Sequence, residues 1–150
     1  MATNALIPIE RRAYDAARQR ALHDCEIAQG LVLESVLLLP SAARTATTST
    51  VEQDNLGNRG VIVDLVTTAV GSASLTVSIQ RWNPASSSWV TMLVSAAVTT
   101  NTTTTLTLFP AATAAANVTA NATLPRLWRV TVTHADANSA TYSLGISTLN

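Results

Sequence analysis

The chain has 150 residues, 47% of them apolar and 12% charged, and its nine basic residues balance nine acids to a formal net charge of zero. One ordinary core is the most such a chain can bury. No run of about eighteen apolar residues is present to cross a membrane, and there is no basic excess of the kind a phosphate backbone requires.

All nine basic residues are arginine and the single cysteine is Cys25, which excludes an internal disulfide framework. A neutral surface without lysine tolerates close contact with another protein, although codon bias in a GC-rich genome explains the missing lysine equally well. The first residues lack the charged start and apolar middle of a secretory signal. "LVLESVLLL" at 31–39 is too short for a membrane span and is interrupted by Glu34.

The first thirty residues differ from the rest. They hold Arg11, Arg12, Arg18 and Arg20 together with Glu10, Asp15, Asp24 and Glu26. "IPIERRAYDAARQRALHDCEIAQG" begins near a proline and ends at a glycine, the usual start and stop of a helix. Ala13, Ala17, Ala21 and Cys25 recur every four residues and form a stripe of small side chains on one helical face. So little apolar surface cannot fix a helix alone. Residues 1–37 are therefore expected to form a helical or extended arm against a partner surface, with residues 38–150 forming a separate β domain.

From about residue 31 the pattern is one of strands and turns. Candidate strands cover 31–39, 43–50, 59–68, 74–82, 88–95, 103–109, 125–134 and 139–148, with turn-rich "DNLGNRG", "NPASSS" and "HADANS" between them. Short strands at this spacing predict an antiparallel β-sandwich or a barrel. In "SLTVSIQRWN" the residues Leu75, Val77 and Ile79 face the core, and the hairpin to "SWVTMLVS" places Trp82 and Trp89 beside the turn. In "LPRLWRVTVTH" the period of two sends Trp128, Val130 and Val132 inward and Leu127, Arg129, Thr131 and Thr133 outward.

Reactive groupings are sparse. His23, Asp24, Cys25 and Glu26 are consecutive, but adjacent helical residues point about 100° apart and cannot converge on one atom. His134 and Asp136 suggest a base and its orienter, yet no nucleophile or oxyanion motif accompanies them, and a strand-end histidine with a turn-capping aspartate is the default. Asp54, Asn55, Gly57 and Asn58 hint at a calcium loop with too few carboxylates. Asn101, Asn117 and Asn121 begin glycosylation-type triplets that read as polar loop residues. Neither an enzyme nor a cofactor or metal is expected. Arg126 and Arg129 read as interface residues, because protein interfaces favour arginine; Arg11, Arg12 and Arg18 join them as candidates on the arm.

Several segments together resemble a known group: Ser41-Ala42-Ala43-Arg44-Thr45, Asn58-Arg59-Gly60, Ile79-Gln80, Leu124-Pro125-Arg126 and Trp128-Arg129-Val130. They look like the small β-sandwich proteins encoded among the structural genes of tailed bacteriophages, over residues 38–148. The resemblance implies a jelly-roll-like sandwich and a non-enzymatic virion protein assembled in the bacterial host cytoplasm. In that family the leading expectation is a capsid decoration, or cement, protein that binds the major capsid protein or other virion proteins and self-associates, with a trimer as the guess. Tail or connector protein, and carbohydrate-binding sandwich on a tail fibre, are the alternatives. Aromatics at 4% weigh against a sugar platform, since core and hairpin packing are expected to use nearly all of them.

Overall fold

The structure is a computed structural model that describes residues 35–150. The expected N-terminal helix, the small-residue stripe, and Arg11, Arg12 and Arg18 lie outside the described residues. Among those described, every regular element is a strand: β1 Ser35–Arg44, β2 Thr48–Ser49, β3 Gln53–Asp54, β4 Gly60–Ala69, β5 Leu75–Asn83, β6 Ser88–Val94, β7 Thr103–Leu108, β8 Thr119–Ala120, β9 Leu127–His134 and β10 Ala140–Leu149.

Two sheets form. One has the order β1-β10-β4-β7-β8 and the other β2-β9-β5-β6, with β3 also on β9. All the long pairings are antiparallel, and the short β8 runs parallel to β7. Thr50 lies between β2 and β3 and exchanges backbone and side-chain bonds with Val130, so β2 and β3 act as one interrupted strand along β9. With that merger the chain is a nested set of pairs, β1 with β10, β2/β3 with β9, β4 with β7, and β5 with β6, closed by β10 on β4 and β9 on β5. This is the eight-strand jelly-roll arrangement of a β-sandwich.

Period-two burial builds the core between the sheets. Val61, Val63 and Leu65 of β4, Leu106 and Leu108 of β7, and Tyr142 and Leu144 of β10 are fully buried and oppose the other sheet. Leu75, Val77, Ile79, Trp128, Val130 and Val132, the residues expected inside, are all at 2% exposure or less. Each such aliphatic side chain stabilises the fold by about 1.5–3 kcal/mol relative to exposure. Register keeps the rows together: Val77 faces Val132 and Ile79 faces Val130 across β5 and β9.

Three boundaries differ from the sequence expectation. The candidate strands 31–39 and 43–50 leave Pro40 between them, but β1 runs through it from Ser35 to Arg44 and so begins inside the stretch 1–37. β1 is an edge strand, where a missing amide costs no ladder bond, and its register shifts on both sides of Leu39. Secondly, "DNLGNRG" is not all turn, because Gln53 and Asp54 pair with Trp128 and Leu127. Thirdly, β9 starts at Leu127, after Pro125 and Arg126 rather than at the proline.

Two glycines are required by geometry. At Gly60 an added Cβ would collide with the Leu108 carbonyl oxygen and lie 2.7 Å from the Phe109 ring. Gly71 has φ +56° in the turn closed by Ala73 N–H to Val70 C=O at 2.9 Å, a backbone conformation that glycine adopts without steric cost.

Candidate functional site: an arginine and tryptophan cluster on the outer sheet face

The outward positions of β5, β6 and β9 bring together two tryptophans and an arginine. Trp82 and Trp89 are directly opposite each other in the β5–β6 hairpin, and their rings meet edge to face, 5.4 Å apart at 65°. Both are half-buried, whereas Trp128 alone of the three tryptophans belongs to the core. This is the hairpin packing expected of Trp82 and Trp89, and strand alternation puts Trp82 on the outer face of β5 with Gln80.

Arg129 is on the same face. It reaches from β9 across β5, so that its guanidinium carbon lies 4.4 Å from the centroid of the Trp89 ring. Its Nε donates to Gln80 Oε1 at 2.9 Å. Thr131 Oγ1 donates to the same oxygen at 3.2 Å and is itself 2.8 Å from Ser49 Oγ. A chain of hydrogen bonds across three strands therefore holds the guanidinium plane in one orientation. The cation–π contact adds attraction, and the two terminal nitrogens of Arg129 make no hydrogen bond among the described residues.

Arg126, the other expected interface arginine, is arranged differently. Its Nε donates to Asp54 Oδ1 at 3.1 Å, with the side chains 79% and 51% exposed, so this pair is solvated and contributes little to stability. Leu127 and Trp128 separate it from Arg129 along the chain, and the two guanidinium groups engage different partners.

The groups considered for chemistry have structural employment. Asp136 accepts from the backbone N–H groups of Asn138 at 2.9 Å and Ser74 at 3.3 Å, which caps the turn. The His134 ring packs against Tyr142 with centroids 5.9 Å apart, and both its ring nitrogens are buried without a hydrogen-bond partner. Asn55 Oδ1 accepts from Gly57 and Asn58 N–H while its amide donates to the carbonyls of Asn58 and Leu124. That side chain staples the turn to the segment before β9, and the Asp54 carboxylate is engaged by Arg126. Asn101 and Asn121 accept from Val70 and Ala111 N–H, and Asn117 donates to the Val94 carbonyl. His23 and Cys25 lie outside the described residues.

Two of the concavities among the described residues are open to solvent. A groove of about 450 Å³ between the 96–105 segment and residues 116–118 is lined by threonine, alanine, valine and asparagine, with no ionisable side chain. A shallow dent of about 290 Å³ sits over Gly145, between Leu37 and Asp64. Asp64 there accepts from Thr105 Oγ1 at 2.6 Å. Neither groups a nucleophile with a base.

One residue that anchors the edge strand had only a weak sequence signal. Arg44 donates to the carbonyls of Pro40 at 2.9 Å, Ala42 at 3.1 Å and Tyr142 at 2.8 Å, and its guanidinium lies 4.6 Å from the Tyr142 ring centroid. It captures carbonyls beside the irregularity of β1. In the sequence it stands within Ser41-Ala42-Ala43-Arg44-Thr45, a few residues beyond Pro40.

No family model and no curated protein matches the chain. Among solved structures, the crystal structure of the Yersinia pseudotuberculosis-derived mitogen is similar at 12% identity and a TM-score of 0.44, over 79% of this chain and 88% of that one. This likeness is too slight to transfer a fold or a function.

Proposed function

We propose that this protein is a non-enzymatic structural component of a tailed-bacteriophage virion, a decoration protein that attaches to the exterior of the head and stabilises it through subunit contacts. The observation that carries this reading is the outer face of β5, β6 and β9, where Arg129 and two half-buried tryptophans sit together. Tryptophan and arginine dominate the energetics of protein interfaces, and depletion of lysine is typical of them. The resemblance of residues 38–148 to phage structural proteins supplies the setting, and a trimer on local three-fold positions of the shell is the proposed arrangement.

A second reading has one observation in its favour. Because Trp82 and Trp89 lie outside the core, a carbohydrate-binding role on a tail fibre has aromatic side chains available to it. Their planes are inclined at 65°, so the pair offers no continuous flat platform, which favours the first reading. A tail or connector protein built on the same sandwich is the remaining variant.

Omitting the protein from assembling particles tests the proposal. Heads are expected to form and to rupture at lower temperature than complete ones. Particles with heads of unchanged stability and no tails would transfer the protein to the tail, and retention of glycans on an array would favour the fibre module.

A further inference from the structure

Resting on the self-association proposed above, we infer that residues 35–39, the first half of β1, are exchanged between copies of this chain: each copy lays them on the β10 edge of its neighbour, with Pro40 as the hinge.

Little holds this half of the strand to its own sandwich. β1 ends its sheet and pairs with β10, and none of its side chains is in the buried core. Ser35, Val36 and Leu37 are exposed, while Leu38 and Leu39 are half-buried. The ladder is interrupted twice, between Leu37 and Leu39 and again between Leu39 and Ala42.

The two halves of β1 are fixed differently. Beyond the proline, Arg44 stacks on the Tyr142 ring and donates to the carbonyls of Tyr142, Pro40 and Ala42, which ties residues 40–44 to their own β10. Ahead of it, the hydroxyls of Ser35 and Ser147 meet at 2.9 Å in an exposed bond. Pro40 itself fixes φ near −65° and presses Leu39 toward extended backbone. The junction of the two halves therefore directs an extended arm, which can run outward as well as along its own sheet.

The occupant of the exchanged position is a second copy, because the β10 edge is matched to this segment: Ser35 faces Ser147, Val36 faces Ile146 and Leu37 faces Gly145. Every copy carries both sides of that match. Exchange of an identical element keeps these pairings, so it is a low-cost route to an oligomer. It also brings a second sandwich alongside the exposed Val36 and Leu37, whose covering favours the exchanged form. Passed in one direction around the proposed trimer, the arms close a ring.

The test is a disulfide between Ser35→Cys and Ser147→Cys, introduced together in the full chain with its single cysteine, Cys25, replaced by serine. The protein is oxidised after folding and run on a denaturing gel without reductant. Covalent oligomers are expected, whereas an arm on its own sandwich gives a monomer with an internal bridge. Ser35→Cys with Ser86→Cys, on the exposed β5–β6 turn, measures incidental cross-linking and is expected to give little. Adding Pro40→Ala restores an amide and loosens the junction, and is expected to move product from covalent oligomer to bridged monomer. If the double variant lacks the circular dichroism of its parent, chains carrying different isotopes are unfolded, mixed and refolded. Filtered nuclear Overhauser effects between Val36 of one chain and Ile146 of another are then expected.

Bridged monomer alone, or an absence of such interchain effects, overturns the inference. An unchanged product ratio with Pro40→Ala overturns the assignment of the hinge. Sedimentation velocity and the heat stability of phage heads separate the levels. Sedimentation as an oligomer with internal bridges only would remove the exchange and leave self-association standing. Covalent oligomers, together with heads equally stable with and without the protein, would retain the exchange and remove the decoration reading.

Discussion

Replacing Trp128 by alanine tests the fold at its most consequential side chain. Trp128 is 2% exposed and lies on β9 between Gln53 of β3 and Arg81 of β5. An indole buries roughly 150–250 Å², which at about 25 cal/mol per Å² corresponds to about 4–6 kcal/mol of transfer free energy. An extended-chain reference overstates burial, and alanine retains the Cβ, so a loss of about 3–5 kcal/mol is expected.

The local environment selects the lower part of that range. Trp128 already lines a cavity of about 70 Å³ together with Gln53, Asn55 and Asn58, and Asn58 Oδ1 is buried there without a partner. Water admitted to the enlarged space can bond that oxygen, which offsets part of the cavity cost. Denaturant unfolding followed by far-ultraviolet circular dichroism measures the loss, and thermal melting should fall by roughly 10 °C or more. Trp128→Phe should recover much of the difference. A Trp128→Ala protein melting within about two degrees of its parent would refute the placement of this side chain between the sheets.

Gly60→Ala should lose about 1–3 kcal/mol by overpacking, because its Cβ meets the Leu108 carbonyl and the Phe109 ring; an unchanged denaturation midpoint would show that β4 and β7 can separate there. Arg44→Ala removes hydrogen bonds to the carbonyls of Pro40, Ala42 and Tyr142, and is expected to cost about 1–2 kcal/mol while speeding amide exchange in β1 before the inner strands. Equal exchange in the two proteins would mean that β1 holds its edge without the guanidinium. A chain starting at Ser35 should still unfold in one cooperative transition, since the buried core of the described residues runs from Val61 to Ile146; loss of that transition would make residues 1–34 part of the core.

The strands were legible wherever one face is buried, because alternation alone marks Leu75, Val77 and Ile79, or Trp128, Val130 and Val132. Pro40 misled because its effect depends on whether a strand lies at an edge, a property that local sequence does not contain. β3 and β8 are two residues long and carry no period to detect. The Arg129 cluster was half visible. Alternation puts Arg129 on the outer face, but its contact with Trp89 depends on β9, β5 and β6 being neighbours in that order. The tertiary pairing sets that order, as it also does for the stacking of Arg44 on Tyr142, residues 98 positions apart in sequence.

The nested pairing of strands also constrains the route by which the chain reaches its structure. β5 and β6 are joined by a tight hairpin, whereas β1 and β10 begin and end the described sequence. Closing the outermost loop directly from an open chain carries the greatest entropy loss. Once β5 and β6 have met, the ends of β4 and β7 are already near one another, and their pairing brings the next layer within reach. Assembly from the hairpin outward thus replaces one long closure by several short ones, although dominance of non-local contacts still implies folding in milliseconds to seconds. Pulse-labelled amides of β5 and β6 should be protected first and those of β1 last. Early protection of β1 would exclude this sequence of events.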